Sequence, residues 1–283
     1  MNLSDWLVRA AQHDPAGAAL FSGRDQVADY GTFADRARRL AGGLQAKGVG
    51  PGDRVAIYLP NTPAYLIALY GIWMAGAAAV PVNAKLHPRE AAYILGNAEA
   101  KLAFVSGQAA EALRASGCMA RLIGIDSVEF SATLQDHPPL AQIVPRAPED
   151  MAWLFYTSGT TGQPKGVIIT HGMLMSMALT YRADVDTVSA SDAALYAAPL
   201  SHGAGLYTLM HVQAGARHVC PASGGFDAGE VLDLAAHFGS VHMFAAPTMV
   251  KRLTQCAKGA GQRGDGLRTV VYAGGPMYAA DII

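Results

Sequence analysis

Apolar residues along the chain fall into short blocks of two kinds. One kind is a brief β-branched or aliphatic run, at 54–59, 77–82, 101–105, 120–125, 151–156, 166–169, 193–198, 216–220, 240–245 and 268–273. The other is a longer stretch with helical spacing, at 33–47, 63–75, 88–97, 108–116, 171–182, 204–213, 227–237 and 247–256. Runs of the first kind read as buried strands and those of the second as amphipathic or buried helices. Their regular alternation predicts an α/β fold, with a largely parallel sheet covered by helices on both faces. Ahead of the alternation, 18–22 and 26–30 flank Gly23-Arg24-Asp25 and read as a hairpin.

Local punctuation sets the expected boundaries. Ser4, followed by Asp5, is the expected N-cap of a first helix. Thr32 with Asp35 resembles a capping box opening the helix 33–47. Thr62 and Pro63 supply a cap and a first-turn proline for the next helix. No charged side chain occurs between Val55 and Ala84, which on hydropathy alone resembles a membrane span. A helix of about a dozen residues reaches only roughly 18 Å, so buried α/β core is the better reading. Gly48-Val49-Gly50-Pro51-Gly52 follows a helix and precedes a strand, the reverse of a dinucleotide fingerprint, and reads as a turn. The proline-rich segment 137–150 is the expected linker, dividing the chain into subdomains 1–150 and 151–283. Residues 257–267 read as an exposed, mobile loop, and no fixed-period repeat occurs.

Charge narrows the partners. With 21 Lys+Arg against 22 Asp+Glu the formal net charge is -1, and neither half carries the basic excess that a phosphate backbone demands. Nucleic acid is therefore not an expected partner. Cys118, Cys220 and Cys256 are widely separated and lack zinc-ligand spacing, which fits a reducing, cytoplasmic setting. The N-terminal MNLSDWLVRAAQ lacks the pattern of a secretory signal, and no transmembrane segment is expected.

The chemistry concentrates in Tyr156–Val167, YTSGTTGQPKGV. It lies between two strand-like runs and packs glycines, hydroxyls and one lysine into a short loop. Glycines let successive backbone N–H groups turn inward as an anion nest. Thr157, Ser158, Thr160 and Thr161 add hydroxyl donors, and Lys165 adds a positive charge. The set suits a polyphosphate. It is not a Walker A loop, because the sixth position counted from Gly159 is Pro164.

This loop resembles the phosphate loop of the adenylate-forming superfamily, which contains acyl-CoA synthetases, luciferases and peptide-synthetase adenylation domains. Three further stretches match it: PLSHGAG at 199–205, Ala273-Gly274-Gly275-Pro276-Met277, and the N-terminal TFADRARRLAGGLQAKGVGPGDRVAIYLPN. The resemblance implies two doubly wound, mostly parallel sheets with helices on both faces, as in the N-terminal domain of acyl-CoA synthetases. It implies that a carboxylate attacks ATP to give acyl-AMP, and that a thiol, usually of coenzyme A, then takes the acyl group. By position, Thr157, Ser158, Gly159, Thr160, Thr161, Gly162 and Lys165 are expected to hold the phosphates. His202 is expected at the carboxylate pocket, and Gly274, Gly275 and Pro276 at the adenine and acyl pocket. Ser201 beside His202 forms no Ser–His triad, since neither GxSxG nor a positioned acid accompanies it.

The resemblance also implies parts that this sequence does not contain. After the glycine pair, family members carry a glutamate that helps hold Mg²⁺, an aspartate for the ribose, and a C-terminal domain with the catalytic lysine. The expectation is therefore an acyl-CoA synthetase acting on a fatty or similar apolar acid, with ATP, coenzyme A and Mg²⁺. The alternatives are a nucleotide-binding module or an adenylation domain for another carboxylate or a carrier-protein thiol. Residues 1–283 alone are expected to form no thioester, and exposed apolar area is expected to favour self-association.

Overall fold

Two six-stranded sheets share the strands of this chain. The computed structural model describes residues 1–157 and 163–278. In chain order the elements are α1 (Asp5–His13), β1 (Ala18–Ser22), β2 (Asp25–Asp29), α2 (Tyr30–Ala46), β3 (Arg54–Tyr58), α3 (Pro63–Met74) and β4 (Ala78–Pro81). They continue with α4 (Pro88–Asn97), β5 (Leu102–Val105), α5 (Gly107–Ala115), β6 (Arg121–Gly124), α6 (Val128–Gln135), β7 (Met151–Thr157) and β8 (Lys165–Thr170). The last are α7 (His171–Asp184), β9 (Ala193–Leu195), α8 (Gly203–Leu206), α9 (Thr208–Ala214), β10 (Arg217–Cys220), α10 (Ala228–Phe238), β11 (Val241–Ala245), α11 (Pro247–Gly259) and β12 (Leu267–Tyr272).

One sheet has the order β6-β5-β3-β4-β7-β8, the other β12-β11-β9-β10-β1-β2. Every neighbouring pair is parallel except the terminal hairpins β7/β8 and β1/β2, which are antiparallel. The two doubly wound, mostly parallel sheets that the resemblance implies are thus present. The paths β3 to β6 and β9 to β12 are the same: one step to a neighbour, then back across the first strand and outward. The winding reverses between β3 and β5, and again between β9 and β11. In open α/β sheets, ligands bind in the crevice beyond the carboxyl ends at such points. The sheets do not part at residue 150, because β1 and β2 join the strands of the second half and β7 and β8 those of the first.

The uncharged stretch 55–84 is core. Every residue of α3 from Tyr65 to Met74 is buried, so the helix has no wet face. It packs against α2, where Gly71 lets the backbones approach: a Cβ there would lie 3.0 Å from Leu40 and 3.1 Å from the Ala37 carbonyl. Phe33, Tyr70 and Trp73 meet edge to face, and Trp73 continues to Trp153. The Trp73 indole N–H donates to the Ala152 carbonyl at 2.8 Å, so this large buried ring leaves no unpaired donor. Leu20, Tyr196, Val55 and Leu102 belong to the same apolar cluster, so strands of both sheets contribute to one core.

Several boundary readings are corrected. The cap of α2 is Asp29, whose carboxylate accepts the Thr32 N–H at 2.7 Å; the helix starts at Tyr30, and Asp35 pairs instead with Arg39. Ser4 and Thr62 make no side-chain cap bond, and the Ser4 hydroxyl bonds Asn2 instead. The expected linker is tied into the molecule. The Val144 N–H donates to Met74, Asn2 and Arg38 donate to the Val144 and Leu140 carbonyls, and Leu140 and Ile143 pack on the core. The helix expected over 204–213 is two, α8 and α9, divided at Tyr207. α6 was not expected, and α11 runs on through Gly259 into the expected loop.

Candidate functional site

The sequence-marked stretch takes in the end of β7 and the start of β8, which pair antiparallel. Their register places Thr157, at the end of one strand, opposite Lys165, at the start of the next. Both are exposed. Ser158, Gly159, Thr160, Thr161 and Gly162 lie outside the described residues.

His202 arrives from the other sheet. After β9 the chain leaves the sheet, and His202 stands at the N-terminal boundary of α8. Its Nδ1 shares a hydrogen bond with the Ser201 hydroxyl at 3.0 Å, and its ring meets Phe155 of β7 edge to face at 5.5 Å. Much of the ring is accessible, yet packing removes enough water to lower its pKa below the ordinary histidine value. The same packing favours the neutral imidazole over the charged one.

Thr157, Pro164 and His202 together line a cavity of about 270 Å³, whose other walls include Val82, Asn83 and Tyr156. The structure thus brings together residues 45 positions apart in sequence, at the carboxyl ends of both sheets. Lys165 stands beside Thr157 but does not line the cavity. Gly274, Gly275 and Pro276 follow β12 and are exposed. Gly274 adopts φ 87°, a left-handed conformation suited to glycine, with open space where a Cβ would stand. Gly275 faces Pro247 at the start of α11, so the glycine pair adjoins β11 but none of the three lines the cavity with His202.

A larger cavity of about 420 Å³ adjoins the first, and Asn83 lines both. The segments after β3, β4 and β5 wall it from one side, those after β9 and β10 from the other. Lys85 and Arg252 are the charged residues of its lining, with Arg252 placed 5.1 Å over the Phe226 ring. Sequence reading missed Asn83, Lys85 and Arg252, which sit in ordinary turn or helix contexts and become neighbours only through the strand order. Among the described residues no group of three or more His, Cys, Asp or Glu is placed to hold a metal ion. Glu90, the acid bordering the smaller cavity, accepts the His87 N–H in the capping box of α4. Glu90 is thus already engaged in a cap, and no other described carboxylate borders that cavity.

The profile of the family described as AMP-binding enzyme matches residues 7–282. The chain belongs to that family. It is 34% identical over 279 residues to a feruloyl-CoA synthase of an Amycolatopsis species, covering 98% of this chain and 55% of that protein. It is 35% identical over 219 residues to pyochelin synthetase PchE of Pseudomonas aeruginosa, covering 77% of this chain and 14% of that protein. Among solved structures, the inhibitor-bound N-terminal domain of FACL13 from Mycobacterium tuberculosis superposes with a TM-score of 0.88 at 28% identity. That match covers 99% of this chain and 72% of the FACL13 domain. The chain therefore spans about half the length of the feruloyl-CoA synthase it matches, and it has the fold of the FACL13 domain.

Proposed function

We propose that this AMP-binding chain binds nucleotide and acid for a carboxylate–thiol ligase, which joins a carboxylic acid to AMP and then to the thiol of coenzyme A. The observation that carries the reading is the convergence of Thr157 and His202 on one cavity, with Lys165 paired opposite Thr157. Adenylation must hold two anions in line and offset triphosphate charge. Thr157, Lys165 and, by sequence, Ser158 to Gly162 supply donors on the phosphate side. His202, held by Ser201 and Phe155, borders the carboxylate, while Gly274, Gly275 and Pro276 form the wall toward adenine and acyl group. Mg²⁺ would offset phosphate charge, and no described carboxylate cluster is assigned to it. The larger cavity, lined by Lys85 and Arg252, offers cations to a polyanionic thiol carrier such as coenzyme A.

The acid belongs to an apolar class, fatty or aromatic, in keeping with the feruloyl-CoA synthase relative and the FACL13 fold. Similarity to pyochelin synthetase PchE favours a second reading, adenylation for transfer to a carrier-protein thiol. Exchange of labelled pyrophosphate into ATP, tested across a panel of carboxylic acids, examines the shared first step. Exchange strictly dependent on one class of acid supports the ligase; ADP formation without exchange rejects it. Comparing coenzyme A with a phosphopantetheinyl carrier protein as acceptor separates the two thiols.

A further inference from the structure

A single buried amide joins the two sheets beside the proposed site. Asn61, 6% exposed, lies in the turn between β3 and α3. Its Nδ2 donates to the carbonyl oxygens of Tyr196 and Ala198, each at 2.7 Å, and its Oδ1 accepts the Leu200 N–H at 2.9 Å. These three backbone groups belong to alternate residues of the segment that runs from β9 to His202. A primary amide has two N–H donors and a carbonyl acceptor, and here all are engaged. The Tyr196 N–H still bonds the Val219 carbonyl of β10; beyond it the segment leaves its sheet, and Pro199 has no N–H to offer. The Asn61 amide thus takes the place of a missing neighbouring strand, holding residues of one sheet with a side chain from the other.

We propose that Asn61 is a positioning residue of the ligase site, fixing the 196–200 segment so that His202 is presented to the acid. The inference rests on the proposed function for the role of His202, but its structural half does not. Two residues past the clamp, the His202 N–H bonds the Pro199 carbonyl and the His202 carbonyl accepts the Gly205 N–H. The ring therefore inherits its place from backbone that the amide holds. Removing the amide leaves three backbone groups without partners in a buried setting, and a segment that cannot keep them paired must shift toward water.

Three measurements test this. In the unaltered chain, the Leu200 amide should exchange with solvent at least about 100-fold more slowly than an unprotected amide; rapid exchange overturns the clamp without any variant being made. In Asn61→Ala, and in Asn61→Ser should the alanine variant fail to fold, the NMR titration of His202 should move up toward the ordinary histidine range as the ring gains water. In the protein as its gene encodes it, KM for the acid in pyrophosphate exchange should rise about tenfold or more, with KM for ATP changed far less. A folded variant with a lowered melting temperature but unchanged His202 titration and acid KM would make Asn61 a structural link only. If no acid supports exchange in the unaltered protein, the ligase reading fails, while amide exchange and the His202 titration still decide whether Asn61 is the clamp.

Discussion

Lys165 begins an exposed strand opposite Thr157, with no core packing to lose. Lys165→Ala should weaken the ATP dependence of adenylation about ten- to 150-fold, the range for a lost hydrogen bond to a charged group. Its melting transition should move by no more than about 0.5 kcal/mol of stability. Lys165→Arg should rescue in part, because a planar guanidinium does not reproduce a compact ammonium. ATP-dependent kinetics with a parallel thermal melt check this; unfolding with normal ATP dependence would make the lysine structural. The buried histidines act on stability instead. Burial lowers both His171 and His211 to about 4. Above the ordinary histidine value of about 6.5 neither folded nor unfolded state is protonated, whereas between there and about 4 the unfolded chain binds protons that the folded one refuses. Stability should therefore be full above pH 6.5 and fall steadily toward pH 4. Urea midpoints at pH 7.5, 6 and 5 measure it, and a flat series would contradict the burial.

At the scale of elements, close approach governs α8. A Cβ on Gly205 would stand 2.0 Å from the Leu200 carbonyl oxygen and 2.6 Å from the Trp153 ring. Backbone cannot yield cheaply, so Gly205→Ala should cost about 1–3 kcal/mol. The displaced Leu200 belongs to the segment leading to His202, so acid KM should rise with the lost stability. A wild-type denaturation midpoint would refute the packing. Strand and helix alternation was legible because apolar runs and helical periods are local signals, and the phosphate hairpin was legible from its glycines and hydroxyls. What escaped depends on distant partners. α6 buries only Phe130 fully and so shows little helical stripe. Asp29 rather than Thr32 caps α2, because Tyr30 is buried with its hydroxyl donating to the Ala216 carbonyl, which draws the helix start backward. Asn61 reads as an ordinary turn residue until its partners, 135 to 139 positions later, are seen.

At the scale of the whole molecule, the two sheets place their carboxyl ends around adjoining cavities, and that arrangement unites residues from both halves of the chain. Apolar side chains also remain exposed on one sheet edge and on the helix that follows it. Val167 and Ile168 on edge strand β8, with Met173, Leu179 and Val185 along and after α7, are all exposed. An uncovered edge with apolar neighbours favours strand pairing between molecules. Sedimentation should show concentration-dependent association of this chain, reduced by Ile168→Lys; a monomer at every concentration would contradict it. No helix among the described residues is long and apolar enough to cross a membrane.

The proposed adenylating site unites the β7/β8 strand pair with His202. Pyrophosphate exchange by the protein as its gene encodes it, measured beside Lys165→Ala and His202→Ala, decides whether they act together. The expected result is exchange that requires a carboxylic acid, with Lys165→Ala raising the ATP requirement and His202→Ala raising the acid requirement. Acid-independent ATP turnover, or exchange indifferent to both substitutions, would contradict it.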